Sequence, residues 1–366
     1  YAVIFAGLFM LFIGCEQPVE PVADDSAISL AKSARGNGEV FTVEPTGGDD
    51  TENIKAAIAS AQAAGDGSVV YFAPGHFHTD YLILTDFVGT IRGAGMDQTT
   101  LSPLPKIDFG EGPFEYVNPT YENPWPNFIN IVGGEVAITD MTISIQEWEP
   151  VIPYEIFGYM EKGFFAMIRL TGEETSTHFV RVHFKGNKEK FEQTGIPTAN
   201  CGLYYSGETY GTPENRMAMS GQHVIESCIF ENTLIGLGCM LNSSKFILGG
   251  NANSGNVFKH SPMGAFINSI LETAVEVSHN KFDCTWMSLR IWQGYTNEAH
   301  DDVEDPKIPY EGYVHAMHNT IKISGPGHAV YLRDMVRADQ IKRLSVLIEK
   351  NRVISESPYA AMIVDG

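Results

Sequence analysis

Two ladders of residues recur down this chain, and a sequence that carries both has few folds open to it. Met141, Val182, Cys228, Asn256, Asn280, Asn319 and Asn351 are each followed two positions later by Ile143, Phe184, Phe230, Phe258, Phe282, Ile321 and Val353. Successive members of the first series lie 41, 46, 28, 24, 39 and 32 residues apart. This is the spacing of a solenoid in which loops vary while strands stay in register. A second ladder consists of adjacent pairs. Ile168, Tyr204, Leu241, Ile267, Leu289, Leu332 and Val364 are each followed at once by Arg169, Tyr205, Asn242, Asn268, Arg290, Arg333 and Asp365. Side chains alternate faces along a strand, so one column is expected to enter a core and the other to face outward. The expectation is an all-β chain of at least seven coils from about residue 66 to 366, a single domain over 40–366 with no composition break.

The segment before the coils predicts a cap. Asp49 and Glu52 have capping-box spacing, and Ile54, Ala57, Ile58 and Ala61 mark one apolar face of a helix that ends at Gly65. Such a helix would close the end of a stack that otherwise leaves core side chains and backbone donors facing water. Val69 to Phe72 then read as a strand buried on both faces.

The whole stretch Gly47 to Thr79, GGDDTENIKAAIASAQAAGDGSVVYFAPGHFHT, is similar to the opening of many right-handed parallel β-helix proteins of the pectate-lyase type, and Thr90 to Ser102 resembles their first full coil. The resemblance covers most of the chain after about Glu39. It implies a right-handed parallel β-helix solenoid with a short N-terminal capping helix. The superfamily hosts lyases, hydrolases, epimerases and non-catalytic adhesins, so the resemblance identifies architecture more than chemistry.

Ala2 to Ile13 is almost wholly apolar and ends at Gly14-Cys15, followed by a polar, Pro-containing linker over 16–39. A run of this length is too short to span a bilayer as a mature helix and reads as the core of a signal peptide. LFIGC resembles the lipobox of bacterial lipoproteins, which implies lipidation at Cys15 and an exported, outer-membrane-anchored protein that meets the membrane only through its lipid. The absence of Met and of a basic region before Tyr1 predicts that the first residues are missing. The strand running to Val364 without a closing element predicts continuation past residue 366. Lys plus Arg number 24 against 45 Asp plus Glu, a net charge of −21, which argues against nucleic acid as a partner. Cys201, Cys228, Cys239 and Cys284 have no zinc-site spacing. Cys228 and Cys239 fall in inward columns as free thiols packed in the stack, with a disulfide as the alternative.

Candidate chemistry concentrates in the second ladder. The asparagine column reads as structural, an amide ladder between neighbouring coils in which Asn280 and Asn319 act as staples. The paired column places Arg290 next to Arg333, with Asn268 below and Asp365 above. Two guanidiniums on adjacent strands repel unless an anion lies between them. Either each pairs with a carboxylate such as Asp334, or together they grip a sugar carboxylate or sulfate. Arg169, farther down, reads as a surface charge or a distal subsite. Asn242, Asn268, Tyr205, Tyr331 and Trp292 complete the expected substrate-binding set. Asp301, Asp302, Glu304 and Asp305 form either a solvated acidic loop or a Ca2+ site.

By the resemblance, Ca2+ would neutralise a uronate carboxylate while Arg290 or Arg333 removes a proton, although an arginine is normally always protonated. A hydrolase on the same fold would instead use paired groups such as His328 and Asp334. The aromatic, Pro-rich insertions from Lys106 to Asn127 and Glu147 to Gly163, with Trp125 and Trp148, are expected to wall one side of a groove. The function expected is that of an exported, monomeric, polysaccharide lyase-like protein acting on an acidic, uronate-containing polymer. A non-catalytic glycan-binding or adhesive lipoprotein and a glycoside hydrolase are the alternatives.

Overall fold

The computed structural model describes residues 38–105, 127–147, 164–172, 174–187, 199–206, 219, 221–242, 244–271, 273–293, 310–334, 342–359 and 361–365. Within them 24 strands pair in parallel, and the chain winds through three sheets in each coil. The first sheet starts with Val40–Val43 against Ser68–Phe72 and ends with Tyr310–Met317 against Lys342–Glu349. The second runs from Gly75–Thr79 and Thr99–Pro103 to Thr320–Ile323 and Arg352–Ser355. The third runs from Leu82–Thr85 and Asn127–Val132 to His328–Asp334 and Met362–Asp365. Glu135–Ser144 and Ser176–Lys185 pass from the first sheet into the second without a break. Val257–Leu271 and Lys281–Gln293 pass from the second into the third. The result is a right-handed parallel β-helix, the hand that parallel crossovers adopt on twisted strands.

The first ladder holds in full. Ile143, Phe184, Phe230, Phe258, Phe282, Ile321 and Val353 are level on successive strands of the second sheet. Strand spacing puts equivalent aromatic rings in face-to-face register. Phe184, Phe230, Phe258 and Phe282 accordingly stack with centroids 4.8, 4.6 and 4.6 Å apart. The facing corner of the third sheet carries small residues to admit those rings. A Cβ on Gly236 would lie 2.6 Å from Phe258, and one on Gly264 2.7 Å from Phe282.

The asparagines occupy the turn between the first and second sheets. Asp140, Arg181, Ser227, His279, His318 and Lys350, each one position before its ladder member, are left-handed with φ between 52° and 60°. That conformation is unfavourable for residues with a Cβ and needs local support. From Ser227 onward the amide ladder supplies it, beginning with Cys228 N donating to Asn256 Oδ1 at 2.9 Å. Asn280 Oδ1 accepts from the backbone N and from Nδ2 of Asn256 at 3.0 and 2.9 Å. Asn280 Nδ2 donates to Leu248 O and to Asn319 Oδ1 at 2.9 and 3.0 Å. Asn319 repeats the pattern towards Asn351.

The helix Thr51–Ala64 buries Thr51, Ile54 and Ala61 and packs over the first coil. Its start differs from a capping box. Asp49 Oδ1 accepts from the backbone N and hydroxyl of Thr51, and Asp50, the N-cap residue, turns its carboxylate away from the helix. Asp50 Oδ1 accepts from Thr46 N at 2.8 Å and Asp50 Oδ2 from His78 N at 3.1 Å. The acidic pair therefore ties the helix to the second sheet, and Glu52 takes no part in the cap.

The second ladder is assigned to the right strands but in a different register. Leu203, not Tyr204, is level with Ile168. Cys239, not Leu241, is level with Ile267, and Ile291, not Leu289, is level with both Ile267 and Leu332. Arg290 therefore aligns with Phe266 and Tyr331, whereas Arg333 aligns with Trp292, Asn268 and Asp365. The two arginines are not level neighbours. The four cysteines among the described residues are buried as free thiols, and burial pushes Cys201, Cys228 and Cys284 up to about 12.

Candidate substrate-binding face

Correct register assembles one outward row across the third sheet: Asn130, Arg169, Tyr204, Gly238, Phe266, Arg290, Tyr331 and Ile363. From Asn130 to Arg290 each is flanked by core residues, such as Ile168 and Leu170, Leu203 and Tyr205, or Leu289 and Ile291, these six at most 2% exposed. Alternation therefore turns the row outward. Yet Arg169, Tyr204 and Phe266 are each only 7% exposed, so this face is covered rather than a convex surface. Arg290, Tyr331 and His328 are half-buried.

Local contacts hold the row in place. Arg169 Nη2 donates to Ser206 Oγ at 3.3 Å. Asn127 Nδ2 donates to Asn130 Oδ1 at 3.1 Å, and Asn127 Oδ1 accepts from Ala166 N at 3.1 Å. Asn130 Nδ2 is buried with no hydrogen-bond partner among the described residues. The Arg290 guanidinium lies over the Phe266 ring, 4.8 Å from its centroid, which favours a cation on an aromatic face. The His328 ring is 6.3 Å from Tyr331 and 5.9 Å from Tyr359.

The charge of this row differs from that of the other sheets. On the second sheet Glu231 is within 2.9 Å of His183, 3.3 Å of Lys259 and 3.1 Å of His260. Burial works against its ionisation, but His260, Lys259 and His183 together hold Glu231 below the usual carboxylate range. On the first sheet His178 meets Glu226 and His315 meets Glu349. The row Asn130 to Ile363 holds two arginines and no carboxylate, in a chain of net charge −21.

Of the residues expected from the sequence, Arg290, Tyr331 and His328 come together on this face. Tyr205 does not. It is 0% exposed, and its hydroxyl lies 3.0 Å from Thr177 Oγ1, which in turn lies 3.1 Å from His223 Nδ1. Tyr205 therefore belongs to a polar knot inside the coil. Arg169 is not a surface charge but a buried member of the row. Asn242, Asn268, Trp292, Arg333 and Asp334 hold strand positions, and their side chains lie outside the described detail. Asp301, Asp302, Glu304, Asp305, Cys15, Trp125 and Trp148 lie outside the described residues. Sequence reasoning missed Asn130 and Phe266, which only the true register reveals.

Among the described residues one group is arranged to hold a metal ion: His76, His78 and Glu147, with ligand atoms within 4.8 Å of one another. Two imidazoles and one carboxylate do not suit Ca2+, which takes six to eight oxygen ligands.

No protein-family model and no curated protein matches this chain. Similar solved structures include ORF18 of Geobacillus virus E2, at 13% identity over 93% of this chain and 61% of that one, with a TM-score of 0.42. A mutant of the PL6 family alginate lyase AlyGC is 13% identical over 87% of this chain and 40% of its own, with a TM-score of 0.41. The A-module of the Azotobacter vinelandii mannuronan C-5 epimerase AlgE4 is 12% identical over 92% and 99%, with a TM-score of 0.25. The chain thus spans 61% and 40% of the first two. What its own strand pairing establishes is the architecture: the chain is a right-handed parallel β-helix protein.

Proposed function

We propose that the outer face of the third sheet binds an acidic, uronate-containing polysaccharide and cleaves it by β-elimination. The observation that carries this reading is the half-buried end of the row, where Arg290 stands level with Tyr331 and the His328 ring lies 6.3 Å from that of Tyr331. There Tyr331 offers an aromatic face to a sugar ring, and the Arg290 guanidinium fork suits its carboxylate. Because the whole chain repels anions, attraction must come from this local cation.

In this reading Arg290 neutralises the uronate carboxylate and lowers the cost of charge building up beside C5. Arginine stays protonated, so it serves as a positive charge and not as the base. His328 and Tyr331 are the groups proposed to move protons. One takes the C5 proton, the C4–O bond breaks, and the departing oxygen receives a proton. The product carries a C4–C5 double bond. Asp334 and Arg333 belong to the same strand end and are proposed as supporting groups. Ca2+ at Asp301, Asp302, Glu304 and Asp305 is a separate proposal, tested by adding a chelator.

The experiment is a panel of uronate polymers followed by ultraviolet absorbance of the unsaturated product and by new reducing ends. The expected result is absorbance with at least one polymer, reduced roughly 10- to 100-fold in kcat/KM by Arg290→Ala. Reducing ends without absorbance would indicate hydrolysis by a pair such as His328 and Asp334. Binding with neither product would favour a non-catalytic glycan-binding protein.

A further inference from the structure

We propose that His76, His78 and Glu147 form a binding site for a divalent late first-row transition ion, Zn2+ or Cu2+, distinct from the third-sheet face. His76 and His78 are two positions apart on the strand Gly75–Thr79, with Phe77 between them fully buried. Alternation therefore turns both imidazoles to the same outer side. Their rings lie 4.2 Å apart, tilted by 34°.

Glu147 reaches them from two coils on, just past the strand Glu135–Ser144. Its Oε2 is 3.5 Å from His78 Nε2. In a tetrahedral site with ligand bonds of about 2.1 Å, donor atoms are about 3.4 Å apart, so this pair already stands at a ligand-to-ligand distance. All three donors fall within 4.8 Å of one another.

Second contacts hold the imidazoles in place, as metal-binding histidines require. His76 Nε2 lies 2.8 Å from Ser102 Oγ on the intervening coil. The backbone of His78 is fixed on both sides by Asp50, whose carboxylate accepts from His78 N at 3.1 Å and whose N donates to His78 O at 2.7 Å. Two imidazoles with one carboxylate leave a fourth position for water. That donor set selects Zn2+ or Cu2+ over the oxygen-seeking Ca2+ and Mg2+.

Zn2+ titration calorimetry and Cu2+ electron paramagnetic resonance on the full chain test this. The expected result is one saturable Zn2+ whose Kd rises at least tenfold in H78A and in E147Q. The Cu2+ spectrum should carry couplings from two imidazoles and fall to one in H76A. Glu147 is 63% exposed, so E147Q reports on binding even if a histidine variant folds poorly. Absence of saturable binding to a protein with an intact β-sheet circular dichroism spectrum would overturn the proposal. So would unchanged binding in H76A/H78A, or loss in H318A, which breaks the separate stacked pair His279 and His318.

Discussion

Replacing Asn280 with alanine removes an amide that makes four hydrogen bonds at a fully buried position. The Asn256 backbone N–H and one N–H of its side chain lose their acceptor, and Leu248 O loses a donor. Asn319 Oδ1 keeps its bond from Asn280 N at 2.9 Å, so the damage points towards the preceding coil. Orphaned buried polar groups cost about 1–3 kcal/mol each, and carbonyls less than N–H groups, which gives about 3–5 kcal/mol for Asn280→Ala. Asn280→Asp separates the contributions. It keeps the acceptor for both Asn256 donors but sets a carboxylate oxygen against Leu248 O and Asn319 Oδ1. Its penalty should shrink as pH falls and the new carboxyl gains a proton to donate. The assay is the urea midpoint of each variant, with hydrogen exchange read at the Asn256 amide. Loss of less than about 1 kcal/mol in Asn280→Ala, with the Asn256 amide still protected, would refute the reasoning that the ladder holds the left-handed turns.

Three further outcomes follow from the same contacts. Gly236→Ala drives a Cβ to 2.6 Å from Phe258 and 3.0 Å from Gly264 O, so the urea midpoint should fall by an amount equivalent to about 1–3 kcal/mol, and an unchanged midpoint would show that the corner yields freely. Burial lowers His223 to about 4 from the ordinary 6.5. The unfolded chain therefore binds a proton that the folded chain refuses, and the associated stability, complete above about pH 6.5, is lost by up to about 3 kcal/mol as pH falls to 4. His223→Gln should flatten that part of the stability profile, and an identical slope would count against it. Finally, the segment around Cys15 is proposed as a lipoprotein leader, so Cys15→Ser should abolish fatty-acid labelling and release the protein from membranes. Unchanged labelling would remove the proposal.

The asparagine and phenylalanine ladders were legible because both positions are fixed by one short turn. A left-handed residue, then the ladder member, then the aromatic two places on leaves no room for insertion. The third sheet was harder to align because the corner before it varies. From Phe282 to Leu289 is 289 − 282 = 7 residues, but from Ile321 to Val330, the next member of that row, is 330 − 321 = 9. The two extra residues lie in the turn Ser324-Gly325-Pro326-Gly327, whereas levelling Arg333 with Arg290 requires four, since 333 − 290 = 43 against 321 − 282 = 39. Tyr204 and Tyr205 were ambiguous for another reason, since a tyrosine suits either face, and only pairing with Leu170 and Cys239 turns Tyr205 inward. For the metal-ligand group, the His-x-His pattern on a strand was a readable signal. Glu147, arriving from two coils away, was not.

The most direct test of the proposed function is a crystal structure of the Tyr331→Phe variant, chosen to slow turnover, soaked with a uronate oligosaccharide. The account predicts a sugar ring over Tyr331, with its carboxylate at the Arg290 guanidinium and His328 beside C5. Sugar bound on the first or second sheet, or a third-sheet face left bare at saturating oligosaccharide, would contradict it.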